Sequence, residues 1–246
     1  MHAQPEHKYF VVEGNIGAGK STFLRIITEY LNAQVVYEPH QKWQNVGGEN
    51  LLERFYSDTQ RWAYTFQTYA FITRVLEREL QAKDCISPFQ ILERSVYSDR
   101  YCFAQNCYEM GVMNALEWKL YQEWFSWLVD NYMAKPSGFI YMKTDPEVCY
   151  KRLLKRNRSE EAGVSKDYLQ LLHDKHESWL MQKEGIASYL KNTPVLVIHC
   201  DEDFENSPRI QQEHMAKIAQ FLEAEYNIPA TVSAKSNLVQ SPFILV

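Results

Sequence analysis

The chain of 246 residues is long enough for one domain with a substantial buried core, and 46% hydrophobic with 23% charged residues is the composition of an ordinary globular protein. A net charge of −5 and the lack of a long basic run argue against nucleic-acid binding, while no stretch approaches the roughly 18 apolar residues of a transmembrane helix. The five cysteines are scattered without Cys-x-x-Cys spacing, so we expect a cytoplasmic protein with neither a disulfide framework nor a zinc site.

Short runs rich in Val, Ile, Phe and Tyr predict five buried strands, at residues 8–13, 34–38, 89–93, 138–143 and 194–199. Helical patterns separate them, at residues 20–32, 50–83, 97–110, 114–133, 145–158, 165–190 and 208–225. Strands that alternate with helices predict right-handed crossovers and a parallel sheet. No linker divides the chain, so we expect one α/β domain over residues 1–228 and a C-terminal tail at residues 229–246.

A glycine-rich segment, GNIGAGKST, follows the first predicted strand and opens the first predicted helix. Its pattern, with Lys20 and Ser21 after the glycines, is that of a P-loop, in which backbone N–H groups and a helix N-terminus hold phosphate. Lys20 would reach the β and γ oxygens of a nucleoside triphosphate and Ser21 would bind Mg²⁺. The predicted donor-binding residues are Gly14, Asn15, Ile16, Gly17, Ala18, Gly19, Lys20, Ser21 and Thr22.

The P-loop alone does not distinguish a switch, a motor and a kinase. A regulatory GTPase would carry a guanine-reading Asn-Lys-x-Asp segment, which the sequence lacks, and a motor domain would bring more chain. A small-molecule kinase needs three further features: a base for the acceptor hydroxyl, an acceptor pocket, and positive charge over the transferred phosphoryl group.

Two later strands end in carboxylates that could serve such a kinase. Glu38 lies at the carboxyl end of the second predicted strand, where it could take a proton from an attacking hydroxyl, and Pro39 and Trp43 beside it are typical of a rigid pocket wall. Glu93 and Arg94 end the third predicted strand and should emerge at the same edge of the sheet. Glu93 suits an Mg²⁺ ligand, and Arg94 suits a partner for substrate oxygens or for Glu38.

Polar side chains within an aromatic helix indicate where a flat acceptor would bind. Gln67 lies among Phe66, Tyr69 and Phe71, and its amide could pair with the edge of a base. Arg74 lies two turns further along, and Asp99 follows the third strand. Together Gln67, Arg74 and Asp99 could bind the ring nitrogens and exocyclic groups of a base.

Two charged segments occur in the second half of the chain. Residues 151–163 carry Arg152, Arg156 and Arg158 with Glu160 and Glu161, which fits a mobile lid that brings guanidinium groups to phosphate; a solvated helix face with ion pairs is the alternative. In the HDKH segment, His173 and His176 lack the spacing of a metal site, so we expect both on the surface.

The motifs EGNIGAGKST, YTFQTYAF, ERSVYSDRY, EWKLYQEW, RNRSEEAG, LHDKHESWL and DEDF occur in one order along the chain. In that order they resemble, over nearly the whole length, the deoxycytidine/deoxyguanosine/deoxyadenosine kinase group of the deoxynucleoside kinases. The resemblance implies a P-loop kinase fold, with a five-stranded parallel sheet flanked by helices and a helical lid. It also implies transfer of the γ-phosphoryl group of ATP, or of another nucleoside triphosphate, to the 5′-hydroxyl of a deoxynucleoside in nucleotide salvage.

The same resemblance implies roles for individual residues. Glu38 is similar to the general base, with Arg94 near the acceptor oxygen, and Glu93 is similar to an Mg²⁺ ligand. The acceptor would be bound by Trp43, Tyr56, Phe66, Gln67, Arg74, Asp99 and Glu161, with Tyr56 and Glu161 on the 3′-hydroxyl. The lid arginines would be Arg152, Arg156 and Arg158, and Asp203 and Phe204 would lie against the base of the donor.

Substrate range and assembly are further implications. The charged pair Arg74 and Asp99 favours deoxyadenosine, deoxyguanosine or deoxycytidine over thymidine. A homodimer would form through the helices near 50–83 and 97–133, and we expect the apolar tail to contact another subunit. Two alternatives stay open: a monophosphate kinase of the thymidylate kinase type, whose acceptor phosphate Glu38 would repel, and a nucleotide-binding switch without catalysis.

Overall fold

A computed structural model describes residues 8–83, 87 and 89–228. Five parallel strands form one sheet, as predicted, and their order in it is β2-β3-β1-β4-β5. The strands are β1 (Lys8–Glu13), β2 (Gln34–Val36), β3 (Phe89–Glu93), β4 (Gly138–Lys143) and β5 (Val195–His199). The predicted tail at residues 229–246 lies outside the described residues.

The helices flank the sheet on both faces, which completes the predicted α/β fold. They are α1 (Lys20–Tyr30), α2 (His40–Gln44), α3 (Leu51–Ser57), α4 (Thr59–Lys83), α5 (Val96–Ser98), α6 (Gln105–Glu109), α7 (Ala115–Tyr132), α8 (Pro146–Arg156), α9 (Lys166–His176) and α10 (Pro208–Tyr226). Two π-helical turns, Asp99–Ala104 and Glu177–Gln182, and two 3₁₀ turns, Ser159–Glu161 and Ser188–Leu190, join or extend them.

Each face of the sheet has its own hydrophobic core. On one face, Phe10 and Val12 of β1 pack with the buried side of α1 and with Ile218 and Leu222 of α10. On the other face, Val11 belongs to a larger core formed with helices α3 to α9. Burial on both faces explains why β1 and β3 lack an alternating polar pattern.

The predicted helix at residues 50–83 is wrong in one respect, because Asp58 divides it into α3 and α4. The Asp58 backbone is not helical, with φ −144° and ψ 75°, and its carboxylate accepts a hydrogen bond from the backbone N–H of Arg61 at 3.1 Å. Asp58 therefore ends one helix and caps the next, a role for which a short acidic side chain is suited. The cap was not visible in the hydrophobic pattern, which continues across it.

The predicted helix at residues 165–190 also ends early. Its last π-helical turn stops at Gln182, and Lys183 then adopts a left-handed conformation with φ of 60°. Strand β2 is likewise shorter than predicted, since it stops at Val36 and the side chain of Tyr37 leaves the sheet to become 44% exposed. Glu38 therefore lies two residues beyond the end of β2.

The prediction that His176 lies on the surface is wrong. The residue is fully buried, its ring is parallel to that of Tyr141, and its Nδ1 lies 2.6 Å from the carbonyl oxygen of Leu172. Burial, followed by the positive charge of Arg94, lowers the pKa of His176 to about 3, so the ring is neutral. His173, three residues earlier, is only partly buried.

Among the described residues, no helix is both long and apolar enough to cross a bilayer.

Candidate active site

A cavity of about 620 Å³ opens at the carboxyl edge of the sheet, where β1, β2 and β3 end. The P-loop and the loop before α10 line one part of it, and α2, α3 and α4 line another. Parallel strands that end at one edge bring the chain segments after them into a single crevice. The cavity therefore joins the phosphate loop to the predicted acceptor residues.

Glycines let the P-loop run closer to its neighbours than any side chain would allow. A Cβ on Gly17, whose φ is +79°, would lie 2.3 Å from the carbonyl oxygen of Cys149 in α8. A Cβ on Gly19, whose φ is +94°, would lie 2.8 Å from the Phe204 ring. The loop thus presents bare backbone beside the N-terminus of α1, which suits a group of phosphate oxygens.

Lys20 is the first residue of α1 and is almost completely buried. Its Nζ donates hydrogen bonds to the carbonyl oxygens of Asn15, at 2.7 Å, and Gly14, at 3.2 Å. Burial, followed by the charge of Arg94, lowers the pKa of Lys20 to about 7. Phosphate oxygens at the loop would offset both effects and favour the ammonium form.

Ser21 and Glu93 supply the donor set that Mg²⁺ prefers. The Ser21 hydroxyl donates to Glu93 Oε1 at 2.7 Å, so a hydroxyl from α1 and a carboxylate from the end of β3 meet at the cavity wall. In the described part of the chain, no group of three or more His, Cys, Asp or Glu side chains is arranged to hold a metal ion by itself. A serine and one carboxylate fit an ion that takes its other ligands from water and substrate phosphates.

The Glu38 carboxylate is 8% exposed and has nitrogen partners on both oxygens. Oε1 accepts a hydrogen bond from Arg74 at 2.6 Å and lies 3.6 Å from Nε of Arg94, while Oε2 lies 3.0 Å from Nε2 of His40. Burial alone would raise the pKa of Glu38, but His40, Arg74 and Arg94 together hold it well below its usual range. Glu38 is therefore a carboxylate at neutral pH.

Arg74 connects the predicted base to the predicted acceptor contacts. Its guanidinium donates to both oxygens of Asp99, at 2.8 and 3.1 Å, and to the carbonyl oxygen of Glu93 at 3.1 Å. Asp99 begins a π-helical turn, which is a common feature of functional sites. Gln67, two turns earlier on the same face of α4, is buried, and its amide nitrogen lies 3.9 Å from the Cys107 sulfur.

Aromatic rings form the wall near these polar groups. Phe66 stacks on Phe55 with ring centres 4.7 Å apart and meets the edge of Trp43 at 5.6 Å. The indole N–H of Trp43 donates to the hydroxyl of Thr73 at 2.9 Å, which fixes the ring on α4. The cavity can therefore hold a flat ring against aromatic side chains, with Gln67, Arg74 and Asp99 among the polar groups lining it.

The arginines predicted for a lid all line the cavity. Arg156 and Arg158 both pair with Glu161, which is 5% exposed, and Arg156 does so through a hydrogen bond. Arg152 instead donates to backbone carbonyls, of Ala18 at 3.3 Å and of Glu202 at 2.9 Å. Tyr56 of α3 also lines the cavity, as Glu161 does.

Comparison with known proteins agrees with this geometry. The model of the family described as deoxynucleoside kinase matches residues 10–223. The chain is 42% identical to deoxycytidine kinase 2 of Gallus gallus (83% of this chain, 86% of that protein) and 39% identical to the mitochondrial deoxyguanosine kinase of Xenopus laevis (87% and 89%). It is 37% identical to the deoxycytidine kinase of Homo sapiens (87% and 91%).

The chain belongs to the deoxynucleoside kinase family. This confirms the resemblance found in the motifs and makes the protein a nucleoside kinase, which is a phosphotransferase. Family membership implies a nucleoside and a nucleoside triphosphate as small-molecule substrates.

Most of the residues predicted for this kinase come together in one cavity. Three residues of the P-loop do not line it, namely Gly14, Asn15 and Ala18. The amide of Asn15 instead donates to the carbonyl oxygen of Leu169 at 2.8 Å and thereby ties the loop to α9. Asp203 lies at the cavity, although its carboxylate also accepts the backbone N–H of Glu205 at 3.0 Å.

The structure adds residues that the sequence analysis missed. Those that line the cavity are His40, Leu52, Phe55, Phe103, Lys155, Tyr168, Asp201 and Glu205. His40 had a signal in the sequence, since it lies two residues after Glu38 across a proline. The aromatic and apolar members had no distinguishing signal, because their pattern is the same as that of core residues.

Proposed function

We propose that this kinase transfers the γ-phosphoryl group of ATP, or of another nucleoside triphosphate, to the 5′-hydroxyl of deoxyadenosine, deoxyguanosine or deoxycytidine in nucleotide salvage. The observation that carries the proposal is the buried Glu38 carboxylate, which shares one cavity with Lys20 and Ser21 of the P-loop. A carboxylate in this position is suited to accept the proton of an attacking hydroxyl. Arg94, beside Glu38, would orient the oxygen that attacks.

The donor half of the reaction is assigned to the P-loop and the lid. Backbone N–H groups of the loop and the Lys20 ammonium would hold the triphosphate, with its base near Asp203 and Phe204. Mg²⁺, held by Ser21 and Glu93, would supply positive charge that neutralises the phosphate oxygens. Arg152, Arg156 and Arg158 would stabilise the charge spread over the transferred group.

For Arg156 and Arg158, this role requires that they exchange part of their pairing with Glu161 for phosphate oxygens. Both side chains are about one-third exposed, at 34% and 32%, and can therefore reorient. Glu161 would then be free to bind the 3′-hydroxyl together with Tyr56. We infer that the 151–163 segment acts as the lid on this basis.

The acceptor base would lie between the aromatic wall and the polar set of Gln67, Arg74 and Asp99. The amide of Gln67 offers a donor and an acceptor to the base edge. The ion pair between Arg74 and Asp99 favours bases with an exocyclic amino group or a matching ring nitrogen, and we infer that thymidine is phosphorylated poorly. The names of the relatives include both deoxycytidine and deoxyguanosine kinases, which is compatible with this range.

A monophosphate kinase is the second candidate, and the charge of Glu38 opposes it. A carboxylate whose pKa is held low would repel the acceptor's phosphate, even with Arg74 and Arg94 nearby. Assignment to the deoxynucleoside kinase family also favours a nucleoside acceptor. A switch without catalysis is opposed by the same family assignment.

We further infer that the kinase is a homodimer that contacts its partner through α4 and α7. Both helices carry exposed apolar residues at helical spacing: Leu76 and Leu80 on α4, and Leu116, Leu120, Trp124 and Trp127 on α7. A charged substitution within the α7 stripe, Trp124→Glu, should yield monomers by sedimentation analysis, whereas Lys119→Gln beside it should not. A dimer that survives Trp124→Glu would contradict this interface. The contact of the C-terminal tail with another subunit stays a prediction.

The assignment to the cytoplasm is supported by the chemistry of the cysteines. Four described cysteines, Cys102, Cys107, Cys149 and Cys200, are buried free thiols, which is typical of proteins from reducing compartments.

Turnover of four deoxynucleosides with ATP and Mg²⁺ tests the proposed function. We expect 5′-monophosphate from deoxyadenosine, deoxyguanosine or deoxycytidine, and at least about tenfold lower kcat/KM for thymidine than for the best of the three. Deoxycytidine monophosphate, offered in place of deoxycytidine, tests the alternative that the protein is a monophosphate kinase. Turnover of the monophosphate equal to that of the nucleoside would overturn the proposal.

A further inference from the structure

His40 contacts the predicted base but has no role in the function proposed above. Its Nε2 lies 3.0 Å from Oε2 of Glu38, whereas Arg74 and Arg94 approach only Oε1. The two carboxylate oxygens are therefore divided between an imidazole on one side and two guanidinium groups on the other. This division is the starting point of the inference.

The backbone builds the contact between Glu38 and His40. The His40 N–H donates to the carbonyl oxygen of Glu38 at 2.8 Å, and Pro39 between them has φ −80° and ψ 54°. These values are those of an inverse γ-turn, for which the ring of proline fixes φ in advance. The sequence Glu-Pro-His thus turns the chain so that the first and third side chains can meet.

The imidazole ring is held independently of Glu38. It meets the Trp43 ring edge to face, with ring centres 5.2 Å apart at 80°, and its side chain is only 26% exposed. Its Nδ1 is buried and has no hydrogen-bond partner among the residues that the structure describes. Nε2 is therefore the nitrogen that carries hydrogen toward Glu38, and no competing bond draws the ring away.

The restraint matters because Arg74 can bind a carboxylate with two parallel hydrogen bonds. Its guanidinium already does so with Asp99, through Nε and a terminal nitrogen. Arg74 therefore gives Glu38 a single hydrogen bond, to Oε1. Without the contact to His40 the carboxylate could turn about that oxygen, and Oε2 would have no fixed direction toward an acceptor hydroxyl.

We propose that His40 is a positioning residue that holds Oε2 of Glu38, so that this oxygen, which Arg74 and Arg94 do not approach, keeps a fixed direction for the acceptor 5′-hydroxyl. The inference rests on the proposed function, since it takes Glu38 as the base. His40 acts only through Glu38 and does not bind either substrate. It is needed as a hydrogen-bond donor at the Nε2 position, and its ring is not needed as a proton acceptor.

Three substitutions separate these properties. His40→Leu removes the donor, His40→Gln places an amide N–H near the position of Nε2, and His40→Asn places one near Nδ1. We expect kcat with the best deoxynucleoside to fall on the order of tenfold in His40→Leu and His40→Asn, with KM changed less than about threefold. His40→Gln should recover to within about threefold of the wild-type kcat.

Controls address folding and donor binding. Gln41→Leu, on the exposed side of the same short helix, should leave kcat unchanged. The dissociation constant for triphosphate should be the same in all His40 variants, and so should the thermal midpoint of His40→Gln. If His40→Leu does not fold, His40→Met replaces it as the variant without a donor.

A double substitution tests whether His40 acts through Glu38. In the Glu38→Gln background, His40→Leu should have no further effect on kcat, because the group that it positions is gone. A further tenfold loss of kcat in the double variant would contradict the proposal. A kcat of His40→Gln as low as that of His40→Leu would also contradict it, because the ring would then be needed as a proton acceptor. If the wild type is active and Glu38→Gln lowers its kcat, but His40→Leu keeps the wild-type kcat, this inference alone is overturned. If the wild type turns over no deoxynucleoside, the proposed function is overturned as well.

Discussion

At the scale of single residues, the site is a set of buried charges that neutralise one another. Glu38 and Asp99 share Arg74, while Arg156 and Arg158 share Glu161. Charges removed from water are stable only when they are paired in this way. Substrate binding must therefore exchange these ion pairs for contacts with the substrates. A residue such as His40 would keep the Glu38 carboxylate in place during that exchange.

Lys20 gives a prediction on pH. Its pKa of about 7 in the free protein must rise when phosphate oxygens surround it, so binding of a triphosphate takes up a proton above pH 7. We expect affinity for a non-hydrolysable ATP analogue with Mg²⁺ to fall as pH rises from 7 to 9. Calorimetry at pH 8 in two buffers of different ionisation enthalpy should detect uptake approaching one proton.

Lys20→Arg is the control for that titration, because a guanidinium stays charged throughout this range. The difference in proton uptake between wild type and Lys20→Arg isolates the lysine. Equal uptake in the two proteins would contradict the lowered pKa.

At the scale of elements, the P-loop depends on its contact with α8. Gly17→Ala would place a methyl group 2.3 Å from the carbonyl oxygen of Cys149, so we expect triphosphate affinity to fall at least about tenfold and the free energy of unfolding to fall by about 2 kcal/mol or more. Fluorescence titration with a labelled triphosphate and urea unfolding measure the two effects.

Gly48→Ala separates the clash from the strain of the backbone. Gly48 also has a positive φ, +95°, but a Cβ there would meet no atom within 4 Å. We expect a loss of only about 1 kcal/mol and unchanged triphosphate binding. Equal effects of the two substitutions would show that the contact with α8 is unimportant.

The elements also show what the sequence could predict. Strands β1, β3 and β4 were predicted with their observed bounds, because strands covered on both faces are rich in apolar residues without strict alternation. Glu93 and Arg94 were predicted at the carboxyl edge of the sheet, because parallel strands end at the same edge, and both line the cavity there. The contact between His40 and Glu38 was not predictable, since it depends on the turn angles at Pro39 and on how one imidazole and two guanidinium groups divide the two oxygens of the carboxylate.

His176 is an instructive error. The charges in the HDKH segment suggested a surface helix, yet Leu169, Leu172 and His176 lie at spacings of three and four residues and form the buried side of α9. That stripe was a signal for burial. A histidine on it packs as a neutral aromatic ring, which the charge pattern alone does not indicate.

At the scale of the whole molecule, His176 makes stability depend on pH. Its pKa is lowered to about 3 in the folded state and is ordinary in the unfolded chain, so the unfolded state binds one more proton below about pH 6.5. This contribution is present above pH 6.5 and is lost as pH falls toward 3. His176→Phe keeps a ring against Tyr141 and should remove the effect.

Urea unfolding from pH 4 to 8 checks this expectation. The slope of unfolding free energy against pH should be smaller in His176→Phe than in wild type near pH 5, by about one proton equivalent. Glu13 opposes the trend, because burial raises its pKa to about 7, but it does so equally in both proteins. Identical slopes would contradict the neutral, buried state of His176.

The central claim is that Glu38 is the base for a deoxynucleoside hydroxyl in the cavity that holds the triphosphate. The most direct test compares kcat of wild type and Glu38→Gln with the best deoxynucleoside, together with the dissociation constant for triphosphate. We predict that kcat falls at least about 100-fold in Glu38→Gln while the dissociation constant stays the same. A Glu38→Gln variant that keeps the wild-type kcat would contradict the claim.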